Sequence, residues 1–424
     1  MLDRLFSLEN FGIKLGLENI SRLCEALGHP ERQFTTLHVA GTNGKGSVTA
    51  MVHAALNAAG LRAARYTSPH LTSLAERFVI GESPVSDATL DATGNDVLAL
   101  IDRLCAAGTL SVVPTFFEAT TAIGFELFRR AGVEASVIEV GLGGRFDATN
   151  VIQPIAGAIT TIALDHQQHL GTSLAAIAFE KAGIIKPGMM VVAGSLPEPA
   201  LKVVREASAD RGATLIEPSN ASMQVEMVDG RARMTVRTAN HTYGPLLLAL
   251  RGEHQTGNAL VAISLLEAAA ERGLAIDPGA IVRGLESAEW PARLELLTMP
   301  ANRRILIDAA HNGEGATALA RYLRSWHPEK PVLVVGVMRD KDADDILEPL
   351  LPCVSEVIAT AAPTPRALPA DDLARRIGPR AIAVKDPSEA VERALQLSES
   401  VCVAGSIFLA GALRDGLKQR AILP

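Results

Sequence analysis

The amino-acid sequence predicts an α/β protein of two domains built on mostly parallel sheets. Three observations carry that expectation. Short apolar runs alternate with stretches of helical spacing, the pattern of strands joined by crossover helices. Residues 35–60 read as strand, glycine-rich turn and helix in immediate succession. A second α/β series begins after a break at 287–295, where Pro291 interrupts any helix. At 424 residues the chain exceeds one ordinary domain, and the expected domains are 1–287 and a smaller one at 292–424.

The elements follow in order. Residues 20–28 read as a short helix, and TTLHVAG at 35–41 as a strand entering a turn. SVTAMVHAALNAAG, 47–60, has helical apolar spacing and stops at Gly60. ASVIEVG at 135–141 is a buried strand, and GAITTIALDH at 157–166 another, with its polar residues last. SLAAIAFEKAG, 173–183, is a helix, and MVVAG, 190–194, a strand. From residue 222, SMQVEMVDGRARMTV alternates on both sides of Asp229-Gly230, the signature of a β-hairpin. A helix follows at 258–272. In the second series RRILIDAA, 332–336, 356–360, 381–384 and 401–406 are strands, and APTPRALPA at 362–370 is a proline-marked loop.

Composition narrows the function. A formal charge of -7 disfavours a general nucleic-acid binder, while leaving room for local basic pockets. Cys24, Cys105, Cys353 and Cys402 form no CxxC pair and read as isolated thiols. No apolar run is long enough for a membrane span. The first residues, interrupted by Asp3, Arg4, Glu9, Lys14 and Glu18, lack a signal-peptide core. A cytoplasmic location is expected.

The turn Gly41-Thr42-Asn43-Gly44-Lys45-Gly46-Ser47 has the chemistry of a phosphate loop. Its glycines let phosphate approach backbone N–H groups, and the following helix adds its N-terminal dipole. Lys45 can reach terminal phosphates, and Ser47 can offer a hydroxyl to Mg2+. The spacing is irregular, because Gly46 stands between Lys45 and Ser47. A plain glycine turn with a surface lysine is the alternative; the flanking strand and helix favour the phosphate loop. EVGLGGRFDATN is not a dinucleotide fingerprint, since Phe146 takes the last glycine position.

Glu139 ends an apolar strand, Asp147 lies just beyond, and His166 follows Asp165 at the end of another. Strand C-termini converge on the ligand crevice of an α/β sheet, so Ser47, Glu139 and His166 could meet around magnesium. Lys181, beside Glu180, reads on its own as a solvated charge. His254, Gln255 and Asn258 could touch nucleotide or merely cap a helix. Asp308, His311 and Asn312 crowd a strand end in the second series. Arg293 stands just past the break, placed to add positive charge in a cleft between domains.

Together these residues resemble the folylpolyglutamate synthase/dihydrofolate synthase family, within the Mur ligases. The motifs are HVAGTNGKGS, YTSPHL, PTFFEATT, EVGLGGRFDATN, LDHQQHLG and EKAGIIK, then GEHQTGNA, WPARLE, DAAHN and Asp340-Lys341. They span nearly the whole chain. The resemblance implies an N-terminal P-loop ATPase-type domain and a C-terminal Rossmann-like glutamate-ligase domain. Gly41 through Ser47, with Asn258, Arg293 and Asp308, would bind ATP. Ser47, Glu139 and His166 would hold Mg2+, and Lys45, Lys181, His166 and His311 would serve catalysis. Lys181 matches the family lysine that is carbamylated to N6-carboxylysine. Ser68, Pro69, His70 and Phe117 fall in segments resembling folate-site loops. The sequence departs from the common pattern at Ala292 and Ala309, where glycine is usual, and at Gly313, where proline is usual.

The implied reaction joins L-glutamate to dihydropteroate or to a reduced folyl(poly)glutamate through an acyl phosphate, releasing ADP and phosphate. Both activities are expected in one monomeric enzyme, with no nucleic-acid or membrane partner. The alternatives are a Mur-type ligase of peptidoglycan precursors and a non-catalytic, nucleotide-controlled binding protein.

Overall fold

The computed structural model describes residues 1–8, 16–218, 221–326 and 330–422; Glu9 and Lys14 lie outside them. By contact density the chain divides into two compact units. The first comprises 1–225, 234–247 and 256–288, the second 226–233, 248–255 and 289–424.

The first unit is built on an eight-stranded sheet. Its strands are β1 (Thr35–Ala40), β2 (Ala63–Tyr66), β3 (Phe78–Ile80), β4 (Ser83–Pro84), β5 (Ala135–Glu139), β6 (Ala156–Ile159), β7 (Met190–Ala193) and β8 (Thr214–Ile216). Their order is β4-β3-β2-β5-β1-β6-β7-β8. All pairings are parallel except those made by β3, which runs antiparallel to β2 and β4. β5, β6 and β7 are buried along their whole length, which explains their continuous apolar runs. The sheet order sets β5, β1 and β6 side by side, so the chain leaves all three at one edge of the site. Helix Phe116–Arg130 starts with a capping box in which the Glu118 N–H donates to Thr115 Oγ1 and the Thr115 N–H to Glu118 Oε2.

The strand expected over 157–166 is shorter than its sequence suggests, ending at Ile159. The Thr160 N–H still donates to the Ala40 carbonyl of β1 at 2.9 Å, but the Thr160 hydroxyl, Thr161 and Ala163 bond to Thr42 and Asn43 of the phosphate loop. The helix expected from residue 47 begins at Lys45, and the one expected from 258 begins at Gln255.

The hairpin expected at Asp229-Gly230 is present, joining β9 (Ser222–Val228) to β10 (Arg231–Arg237), with β11 (Thr242–Arg251) completing a three-stranded sheet. Asp229 and Gly230 both have positive φ, 48° and 72°, as a two-residue hairpin turn requires.

The second unit carries a six-stranded sheet. Its strands are β12 (Glu295–Met299), β13 (Arg303–Ile307), β14 (Val332–Val335), β15 (Val357–Ala359), β16 (Ala381–Ala383) and β17 (Ser400–Ala404). The order is β12-β13-β17-β14-β15-β16. Only β12 is antiparallel to its neighbour. Leu306, Leu333, Val335, Cys402 and Ala404 contribute to its buried core. The α/β class and the pair of mostly parallel sheets agree with the sequence. No helix among the described residues is long and apolar enough to cross a membrane.

Candidate active site

The phosphate loop is held in shape by the segment after β6. The Thr42 N–H donates to the Thr161 carbonyl at 2.8 Å, and the Asn43 N–H to Thr161 Oγ1 at 3.0 Å. Thr160 Oγ1 donates to the Asn43 carbonyl at 2.6 Å. The Ala163 N–H donates to Thr42 Oγ1 at 3.1 Å. Two glycines are indispensable here. Gly41 has φ 152°, and a Cβ on it would overlap Thr160 Oγ1. Gly44 has φ 82° and closes on Asn258, whose Oδ1 a Cβ would overlap. Asn258 therefore lies in the first turn of its helix against the loop, rather than capping a helix end. Gly46 is the second residue of helix Lys45–Ala58; the irregular spacing thus falls inside the helix, whose first N–H groups have no acceptor within it.

Lys45 and Lys181 converge on this loop. Lys45 Nζ donates to the carbonyls of Gly41 and Thr42, both at 3.1 Å. Lys181 is not a solvated charge. It is 5% exposed, and its Nζ donates to the Gly41 carbonyl at 2.8 Å. Burial, followed by the Lys45 charge, lowers the Lys181 ammonium to about 7, against the opposing pull of Asp165 and Asp147.

Ser47, Glu139 and His166 come from three adjoining places: the first helical turn after β1, the end of β5 and the segment after β6. Ser47 and Glu139 are each 4% exposed. Glu139 Oε2 accepts the Ser68 N–H at 3.3 Å. His166 is exposed and left-handed at φ 50°, with its Nε2 3.8 Å from Asp165 Oδ2. Among the described residues no group of three or more His, Cys, Asp or Glu side chains is arranged for a metal. The donor set suggested by the sequence contains only two such side chains, with a serine hydroxyl.

Of the folate-segment residues, Ser68, Pro69 and His70 lie between β2 and β3, and Phe117 lies in helix Phe116–Arg130. The Ser68–Pro69 peptide is cis. Arg77 Nε donates to His70 Nδ1 at 2.9 Å, which makes that nitrogen an acceptor and leaves the proton of the neutral ring on Nε2. Burial, then the Arg77 charge, lowers His70 to about 4. Phe6 lies between His70 and Phe116, stacked on the latter at 5.6 Å. Phe117 packs over Gly141, where a Cβ would come within 2.5 Å of its ring.

In the second unit Asp308 is buried, and burial raises its carboxyl against the opposing effect of Arg293 and two N–H donors. Those donors are Leu294, at 2.9 Å to Oδ2, and Ala310, at 2.9 Å to Oδ1. His311 Nδ1 lies 2.9 Å from the Ala309 carbonyl and donates to it. Burial, with Arg293 and Arg321, lowers His254 to about 4.

Several residues were not identifiable as site components from the sequence. Thr160 and Thr161 shape the phosphate loop, yet a Thr-Thr pair after a strand carries no signal of that. Arg145 secures the helix bearing Lys181: its N–H donates to the Glu180 carbonyl at 2.8 Å, and its guanidinium pairs with the Glu180 carboxylate at 2.7 Å. Asp147, which the sequence does place beside Glu139, is buried and organises the segment after β5 by accepting from the N–H groups of Leu142 and Thr149, at 2.8 and 3.0 Å.

Residues 292–407 match the glutamate ligase domain of the Mur ligases. The chain is 36% identical to a dihydrofolate synthase/folylpolyglutamate synthase of Mycobacterium tuberculosis, over 94% of this chain and 89% of that protein. It is 30% identical to the corresponding protein of Escherichia coli, over 89% and 85%. Among solved structures, M. tuberculosis folylpolyglutamate synthase complexed with ADP superposes with a TM-score of 0.90 at 34% identity, covering 98% of each chain. The bifunctional folylpolyglutamate synthase/dihydrofolate synthase of Yersinia pestis, complexed with AMPPNP and Mn ion, does so at 0.85 and 30%, covering 98% of this chain and 97% of that one.

Proposed function

Because the chain belongs to the folylpolyglutamate synthase/dihydrofolate synthase family of the Mur ligase superfamily, we propose that it is an ATP-dependent ligase adding L-glutamate to dihydropteroate and to reduced folyl(poly)glutamates. The observation that carries this reading is the meeting of Lys45 and buried Lys181 on the Gly41 carbonyl. Simple nucleotide gating does not require a second, buried lysine at a phosphate loop.

A carboxylate is a poor electrophile at neutral pH. Transfer of the terminal phosphoryl group of ATP onto the pteroate or folate carboxylate gives an acyl phosphate and ADP. The glutamate amine then attacks the acyl carbon. The C–N bond forms, the C–O bond to phosphate breaks, and phosphate leaves with the amide in place. Lys45 and Arg293 offset charge on the transferring group. Ser68, His70 and Phe117 orient the pterin-bearing acceptor, and Asn258, Asp308 and His311 the nucleotide and intermediate.

The site residues also fit a divalent cation. Glu139 is a buried carboxylate at a strand end, where a cation would offset its desolvation. Ser47, Glu139, His166 and a carbamate on Lys181 would hold Mg2+, offering it mostly oxygen donors. When bound, the ion supplies further neutralisation of phosphate charge. Carbamylation requires the neutral Lys181 amine: the ammonium gives up one proton, the amine nitrogen bonds to the carbon of CO2, and a second proton is released, so that a buried cation gives way to an anion. The reading includes a monomeric, cytoplasmic enzyme.

The test is product formation with dihydropteroate and reduced monoglutamyl folates in separate reactions. ADP release should depend on both the pterin carboxylate and L-glutamate. Glutamate incorporation into neither acceptor would overturn the assignment, and incorporation into one alone would reduce it to a single activity.

A further inference from the structure

Arg293 stands between two residues whose backbones are left-handed without being glycine: Ala292 at φ 54° and Leu294 at φ 48°. Each conformation is disfavoured by roughly 1–2 kcal/mol for an L-residue. Both side chains are buried, and the turn survives because hydrogen bonds fix it on each side. The Leu294 N–H donates to Asp308 Oδ2. The Ala309 N–H donates to the Ala292 carbonyl at 2.8 Å. The Ala292 N–H donates to Glu295 Oε2 at 2.8 Å. That same oxygen accepts Arg414 Nε at 2.7 Å, in an ion pair whose side chains are 15% and 18% exposed. Arg414 comes from the helix Ile407–Arg420, far along the chain.

We propose that Glu295 and Arg414 are positioning residues for the ligase reaction: as a pair they hold the strained backbone around Arg293 so that its guanidinium is preset for the nucleotide. The inference rests on the proposed role of Arg293. Arginine has a long, flexible side chain, and its placement is only as good as that of its Cα. Asp308 secures the Leu294 side of the turn and Glu295 the Ala292 side. Arg414 fixes Glu295 in turn, through a bond with little competition from solvent. Ala292 sharpens the need, because glycine would occupy this conformation without strain.

The test is a double-mutant cycle in the full chain, reading kcat/KM for ATP with saturating acceptor and glutamate, and thermal unfolding for each variant. R293A should lower kcat/KM strongly. R414M should lower it about tenfold, since a displacement near 1 Å can remove up to a hundredfold. R414M should have less than about a twofold effect in the R293A background, because the two act through one path. E295Q, which keeps an acceptor while weakening the ion pair, should fall between wild type and R414M and provides the same cycle if R414M does not fold. If R293A is impaired while E295Q and R414M match wild type, or are impaired equally with and without Arg293, the positioning inference fails alone. If R293A matches wild type, the role of Arg293 fails and the inference falls with it.

Discussion

Lys45 and Lys181 both donate to the carbonyl oxygen of Gly41, at 3.1 and 2.8 Å. Burial of Lys181, and after it the repulsion between two ammonium groups meeting on one neutral oxygen, makes Lys181 the member of the pair that yields its proton first. The Lys181 ammonium is held down to about 7, so a nucleophilic amine is available at neutral pH. Lysine carbamylation consumes that form.

The first prediction is that Lys181 carbamate forms with an onset near pH 7 rather than near the ordinary lysine value of 10.5. At fixed dissolved CO2, the carbamate carbon should be visible by 13C NMR and absent from K181A. K181A should lose ligase activity on the order of a hundredfold. A carbamate signal unchanged by K181A would refute the assignment of the modified lysine.

The same shift predicts a stability profile for the chain without CO2. The folded Lys181 group titrates at about 7 and its unfolded counterpart at 10.5. Between these values the unfolded chain binds the extra proton, so stability from this group rises with pH. Below pH 7 the buried charge opposes folding in full. K181M should therefore raise the midpoint of thermal unfolding at pH 6, with an advantage that shrinks between pH 7 and 10.5. An advantage that stayed constant between pH 7 and 10 would show that Lys181 remains charged in the folded protein.

The glycines of the phosphate loop should be intolerant for different reasons. At Gly41 an alanine methyl group meets the Thr160 hydroxyl, which is itself committed to Asn43. At Gly44 it meets Asn258, in a left-handed backbone. G41A and G44A should each weaken ADP binding, measured by calorimetry, by at least about tenfold, the equivalent of 1.4 kcal/mol. G41A should be partly rescued by T160A, which removes the atom it strikes, whereas G44A should not. Equal responses of both to T160A would contradict the separate contacts.

How far the sequence revealed this site depends on the range of the interactions. The strand–loop–helix unit at 35–58 is local, and its period and glycines state it directly. Glu139 ends β5 where its sequence puts it, whereas His166 lies beyond the end of β6, in a left-handed turn, and not at the strand end its sequence suggests. Lys181 was misread by local physics: Glu180 suggested a solvated pair, but Glu180 turns to Arg145 and leaves Lys181 buried under the loop. Thr160 and Arg414 act through partners more than 100 residues away, so no window of sequence contains both ends. The overlong strand at 157–166 has the same cause. Its last residues are extended enough to look like strand, but their partners belong to the phosphate loop.

Gly313 gives the last prediction, against the usual residue at its position. Proline normally suits the first turn of a helix, where its missing N–H is not needed. In this chain the Gly313 N–H is used: it donates to Asp345 Oδ2 at 3.0 Å, and a Cβ at 313 would overlap the Asp345 carboxylate. The substitution G313P would both remove the donor and press the ring against the acceptor. It should destabilise the protein by about 1–3 kcal/mol, measured by chemical denaturation. With D345A present the carboxylate is gone, and the same proline should cost less than about 1 kcal/mol. A stabilising G313P in the otherwise unchanged chain would refute the role given to Asp345, which is to make a glycine with its N–H the fitting residue where this family commonly has proline.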